Sequence, residues 1–328
     1  MDFFVGYQMN NAPFLQEILK NRHRIREVYF SWGSYANGRN SQLMQKGMTP
    51  WEAQRQLERD LSLLAREEIP LNLLFNAMCY GQDSQSRRFF EGIGETVDYV
   101  QRNYLLQSVT TTSPLIAKFI KSNFPSLDVR ASVNMDIGTK EGMDYVKDFF
   151  DSFYLQREKN RDLTAVRALS HWCDDHGKKL YLLANSGCLN HCAARVFHDN
   201  LVAHEQQISA MDNGYQFRGI CGDYLRQNPL AAVHNGSWIR PEDVALYEGP
   251  VSAMKLATRV SRDPVKVLRA YLNGSHSGST LDLLEPNHTG TLYPKLLENR
   301  LLVPTVTEER LAYANSDNAL IHLEETLC

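Results

Sequence analysis

Apolar and polar positions along the first 260 residues follow two alternating periods. Short apolar or β-branched runs at 3–7, 25–32, 71–77, 107–112, 129–134, 152–156, 179–185 and 251–258 read as strands. Segments at 12–20, 50–67, 91–103, 114–123, 139–149 and 161–176 carry the spacing of amphipathic helices. Local signals agree: Thr49 supplies an N-cap before Pro50 at the first helical position. The stretch Leu71 to Ala77 is nearly all apolar, as a parallel strand covered on both faces must be. Strand–helix alternation demands parallel pairing through right-handed crossovers. Eight such units predict an α/β fold of the (β/α)8 TIM-like barrel type, with an open parallel sheet as the alternative closure.

Two interruptions shape the domain plan. Residues 186–237 separate the seventh and eighth strands by far more than a crossover, which predicts an inserted lobe over the barrel mouth. A helix is expected to begin near Cys188, and another short one at 238–243. The stretch 273–279 (NGSHSGS) reads as a turn region, so the barrel is expected to occupy 1–272 and a C-terminal extension packed on it 273–328.

The chain has 328 residues, 43% hydrophobic and 22% charged, enough for a sizeable core. A formal charge of −3 gives no overall electrostatic footprint for nucleic acid, though a local basic groove is compatible with it. Mean hydropathy is −0.39, and no run approaches the roughly 20 apolar residues that span a bilayer. The opening Met1-Asp2-Phe3-Phe4-Val5 lacks a basic segment followed by an apolar one, so a cytoplasmic protein with no membrane partner is expected. In a reducing compartment six cysteines are metal ligands or buried thiols rather than disulfides.

Cys188 and Cys192 form C-x3-C directly after an apolar strand, where barrel enzymes place their chemistry. On a helix they would share a face, which suits either one metal ion or two packing thiols. Cys79 ends the third strand on the same rim, and Cys221 lies in the insert between glycines. Four cysteines at one mouth could hold zinc or an iron–sulfur cluster. Cys173 falls inside a helix beside Trp172 and reads as core, and Cys328 is terminal. His191, His198 and His204 cluster beside Cys192, where they could serve the ligands or the substrate, or simply satisfy helix ends. The H-E-x-x-H, G-x-S-x-G and Walker patterns are missing, as is the third cysteine of a radical-SAM motif.

Several strings together resemble peptidase family U32, the collagenase-like peptidases, over roughly the first 285 residues. Glu27-Val28-Tyr29 with the loop Asn37-Gly38-Arg39 is similar to the family's Gly-Arg loop. Leu73-Leu74-Phe75-Asn76-Ala77-Met78-Cys79 is similar to its Leu-Leu-Asn-x-x-Cys segment. Ser132-Val133-Asn134 and Asn160-Arg161-Asp162-Leu163 resemble two further rim segments. The most specific piece runs from Ala184-Asn185-Ser186-Gly187-Cys188 through Cys192 to Arg195 and His198. Trp238-Ile239-Arg240-Pro241-Glu242-Asp243, Lys255-Leu256-Ala257-Thr258-Arg259 and Leu281-Asp282-Leu283-Leu284 complete it. Ser186, Ala193 and Thr258 depart from the family's Glu, Pro and Gly, and the first change removes an acid–base candidate.

The resemblance implies a barrel carrying a [4Fe–4S] cluster on Cys79, Cys188, Cys192 and Cys221. It implies catalytic roles for His198, Arg195, Arg240 and Arg259, and substrate contacts from Arg39, Asn185, Arg161, Glu242 and Lys255. The arginines suit carboxylate, phosphate or nucleobase groups, or else ion pairs with Asp162, Glu242 and Asp243. Relatives hydroxylate or otherwise modify RNA bases or a quinone precursor without oxygen, some drawing on prephenate, and some work with a homologous partner subunit. The substrate could thus be a small molecule, RNA or peptide. Three functions are weighed: an iron–sulfur modification enzyme, a peptidase as the family name says, and a non-catalytic cluster-holding subunit.

Overall fold

The computed structural model describes residues 1–33, 35–38, 47–209, 220–285, 289–292 and 295–302. Arg39, part of the insert (210–219) and the end of the C-terminal extension with Cys328 lie outside the described residues. Eight parallel strands close in sequence order: β1 (Asp2–Gly6), β2 (Ile25–Phe30), β3 (Leu71–Phe75), β4 (Leu106–Thr111), β5 (Asp128–Ala131), β6 (Ser152–Tyr154), β7 (Lys179–Leu183) and β8 (Ala253–Leu256). β1 pairs with both β2 and β8, which settles closure over the open sheet. Outward residues such as Phe3, Val5 and Leu73 join the helices in the main core. Inward Phe4, Tyr29, Leu74, Tyr154, Tyr181 and Leu183 fill the barrel interior.

The crossover helices are α1 (Ala12–Lys20), α2 (Pro50–Arg66), α3 (Arg87–Asn103), α4 (Pro114–Asn123), α5 (Lys140–Asp144) and α6 (Leu163–Asp175). Thr49 and Glu52 form a full capping box on α2, a device that stabilises a helix by about 1 kcal/mol. Two predicted helices differ. α3 starts four residues early because Ser86 caps it, accepting from the Phe89 N–H. α5 is short because it contains Gly142 and buries only Met143, too little apolar surface to hold the predicted eleven-residue helix.

The insert holds α7 (Arg195–Ala203), α8 (Glu205–Ser209), α9 (Ile220–Gln227) and α10 (Ala231–His234), and α11 (Pro264–Asn273) follows β8. No helix begins at Cys188. Residues 186–194 form an irregular loop with His191 at φ 55°, tied by bridges from Ser186 to Glu285 and from Leu189 to Gly236. The shared-face argument for Cys188 and Cys192 therefore fails, since a left-handed residue between them breaks helical spacing. A separate apolar cluster joins Leu225, Ala232, Val233 and Trp238 of the insert region to Leu281, Leu284, Leu292, Leu297 and Leu302. The insert and the described part of the extension thus share one core. No helix among the described residues is long and apolar enough to cross a membrane.

Candidate active site

The barrel interior is polar at its waist. Arg130 of β5 is 3% exposed and bonds Glu27 of β2 at 2.5 Å, Tyr154 OH at 3.2 Å and Ser152 Oγ at 3.1 Å. Its guanidinium also faces the rings of Phe4 and Tyr181 at 4.8 and 4.5 Å. Ser108 Oγ donates to the other Glu27 oxygen at 3.0 Å, and Asn72 Nδ2 donates to Ser108 at 2.6 Å. Every strand from β2 to β6 contributes a polar group to this chain, which fixes the interior before the mouth is reached.

Above it opens a cleft of about 430 Å³, counted out to its open mouth, whose walls include Tyr29, Asn134, Arg157, Lys255, Arg259 and Glu285. All but Glu285, which the C-terminal extension brings in, come from the C-terminal ends of strands or the loops just beyond, the usual catalytic face of such a barrel. Gly6 makes this packing possible: a Cβ there would lie 2.6 Å from Arg259 Cγ and 2.7 Å from the Tyr29 ring. Gly38 likewise approaches Asn76 closely, its N–H donating to Asn76 Oδ1 at 3.1 Å.

Lys255 is buried, with Nζ 4.1 Å from the Tyr29 ring centroid and 5.0 Å from that of Tyr154. Among the described residues its amine makes no hydrogen bond or ion pair. Desolvation first, and then the neighbouring Arg259, lower its pKa to about 7, with Glu27 partly opposing. Arg157 is 5% exposed, and its Nη2 donates to Asn134 Oδ1 at 2.7 Å, while Nε and Nη1 are buried without a partner. Arg259 donates to Asn37 Oδ1 at 3.0 Å.

Other expected site residues are bound into the scaffold. Asn185 donates to the Ala257 and Leu283 carbonyls and accepts from the Ala257 N–H, so its amide staples β7 to β8 and does not face the cleft. Arg161 donates to the Trp238 and Val233 carbonyls and stacks over the Trp238 ring, bracing the insert. Arg240 donates to the Leu302 carbonyl and pairs with Glu242, which accepts from the His276 N–H and Asn299 Nδ2. These four anchor chain segments because backbone groups buried there require partners. Sequence reasoning placed them at the mouth; the structure gives them to the walls behind it.

Arg195 serves the cysteine loop. It pairs with Glu158 and Asp136 and donates to the Leu189 carbonyl, while Glu158 also accepts from the His191 N–H at 3.2 Å. His198 is exposed on α7. The Cys221 thiol is pushed up by burial and then by the nearby Cys188 and Cys192, so three of the four expected thiols gather on one side. Cys79 follows β3, four strands from β7 around the closed barrel, and its sulfur accepts from the Gly81 N–H at 3.4 Å. Among the described residues no three His, Cys, Asp or Glu side chains stand close enough together to hold one metal ion. Soft thiolate donors in mutual range fit an iron–sulfur group in kind, and the three sulfurs would have to draw inward to ligate one. Cys173 is buried in the main core on α6, as its helical position suggested.

Arg157 and Tyr29 were not singled out as site residues from sequence. The signal for Arg157 was its place immediately after the predicted strand 152–156, a rim position.

No family model matches the chain. A curated protein of Methanocaldococcus jannaschii, named as an uncharacterized protease, is 25% identical over 253 residues, covering 75% of this chain and 73% of that one. The solved structure of the U32 peptidase Mk0906 superposes with a TM-score of 0.54 at 13% identity, covering 78% of this chain and 91% of that one. The chain resembles the U32 peptidases. In the U32-like barrel described above, the cleft and the cysteine loop are neighbours, separated by the turn that carries Arg157 and Glu158.

Proposed function

We propose that the protein is an iron–sulfur enzyme of the U32-like group, modifying a small molecule, an RNA base or a peptide by oxygen-independent hydroxylation in a reducing compartment. The observation that carries this reading is the nearness of Cys188 and Cys192, at the start of the insert, to Cys221 on α9. These three would hold a [4Fe–4S] cluster, with Cys79 as the candidate fourth ligand. Such a cluster, when bound, supplies electrons to the reaction. The chain's own part is to fix the cysteine loop through Arg195 and Glu158, and to present Lys255, Arg157 and Arg259 to the substrate. By the same resemblance, the proposal takes prephenate as co-substrate and a homologous subunit as partner.

The test is anaerobic purification followed by absorption spectroscopy with iron and sulfide analysis. A broad band near ~400 nm and about four irons per chain support the reading, and Cys188→Ser should remove both. Colourless protein that takes up zinc in place of iron would overturn it. Survival of the band in Cys79→Ala would assign the cluster to the other three thiols.

A second reading, peptide hydrolysis, is favoured by the names that the archaeal relative and the U32 structure carry. It would need an activated nucleophile, with Cys192 and His198 as the candidates, and cleavage of gelatin or casein by metal-free protein would support it.

A further inference from the structure

Arg157 is a buried cation with unused donors. A planar guanidinium carries five N–H groups, and here only Nη2 is engaged, by Asn134, while Nε and Nη1 meet no protein acceptor among the described residues. Burial of such a group without partners is costly unless something else satisfies it. The same cleft exposes the Lys255 amine, flanked by two aromatic rings, with no carboxylate bonded to it. Arg259 adds a second guanidinium, and Glu285 is the one acidic wall residue among the described residues. A lysine in an apolar pocket beside other cations keeps its nitrogen lone pair available near neutral pH. That combination, a carboxylate-seeking guanidinium and a nucleophilic amine in one small cleft, has a defined chemical complement.

We infer that the cleft binds a small 2-oxo acid, its carboxylate on Arg157 and its carbonyl carbon at Lys255, and that Lys255 forms an imine with it. The nitrogen lone pair makes the new C–N bond as the carbonyl π pair moves to oxygen. That oxygen then leaves as water with the two hydrogens given up by the amine, and the C=N bond forms. No oxidant or reductant is needed for this step. It does not depend on the iron–sulfur reading, since every group involved belongs to the barrel.

The experiment is borohydride trapping of the full chain as purified, with pyruvate as the probe and peptide mapping by mass spectrometry. Hydride adds to the imine carbon and leaves a stable secondary amine at the lysine that reacted. The expected result is a reduced pyruvyl adduct concentrated on Lys255 over all other lysines. Arg157→Gln should lower that adduct by about tenfold, the loss of one charged contact, while its thermal midpoint stays near wild type. Adducts spread evenly over surface lysines of the folded wild type would overturn the inference, whatever the behaviour of the variants. Labelling of Lys255 that is indifferent to Arg157→Gln would overturn the carboxylate assignment. Iron content measured on the same samples separates failure here from failure of the cluster reading.

Discussion

Arg130 in β5 and Arg157 just past β6 are both almost fully buried, at 3% and 5% exposed, yet their surroundings are opposite. Arg130 at the waist meets Glu27, Ser152 and Tyr154 and is ringed by aromatic faces, while Arg157 at the mouth has one asparagine. The waist is closed on itself and the mouth is left open to something else. A barrel whose interior lattice is complete below can hold an incomplete set of polar groups above, because the strands no longer depend on the mouth for their register. The sharpest way to break this comparison is Glu27→Gln. It leaves the buried Arg130 charge with only the longer Asp128 contact at 3.9 Å, and removing one partner of a buried pair costs about 3–5 kcal/mol. Urea denaturation should show that loss. A cost below about 1 kcal/mol, the range of an exposed pair, would mean the waist is wetter than its geometry says.

Lys255 sharpens the same contrast through pH. It faces Tyr29, Tyr154, Arg259, Arg157, Arg130 and Glu27, and in the folded barrel its pKa falls to about 7 from an ordinary 10.5. Between those values the unfolded chain holds the proton and the folded chain does not, so stability rises with pH across that window. Below about pH 7 both states are protonated and the penalty of a buried ammonium is fully present. Wild-type stability should therefore climb relative to Lys255→Met between pH 7 and pH 9, read as the difference in unfolding free energy from parallel denaturation curves. Parallel pH profiles for the two proteins would show that the amine is solvated in the folded state.

The barrel was legible in sequence because each strand is a short apolar run and each crossover repeats its period; β1 through β8 fall within a few residues of the expected bounds. The resemblance named Lys255 and Arg259, and both line the cleft. The same resemblance named Asn185, Arg161, Arg240 and Glu242, which the structure ties to groups just past β8, in the insert and in the extension, since a residue string says nothing about which long-range group lacks a partner. The cysteine loop misled for a different reason. C-x3-C matches helical spacing, but His191 in the left-handed region and the bridges of Ser186 and Leu189 come from contacts dozens of residues away. Arg157 was missed because nothing local distinguishes an arginine that is answered from one that is not.

That last distinction is itself measurable, and it gives the smallest effect. In Arg157→Met the hydrogen bond to Asn134 is lost, but so is the burden of burying a guanidinium whose Nε and Nη1 go unmet. The two contributions have opposite signs and similar size, since a charged hydrogen bond and an unsatisfied buried donor are each worth about 1–3 kcal/mol. The net change in unfolding free energy should stay within about 1 kcal/mol of wild type, well under the loss in Glu27→Gln. If Arg157→Met costs as much as Glu27→Gln, the guanidinium is holding the barrel together as Arg130 does, and it is not being kept for a ligand.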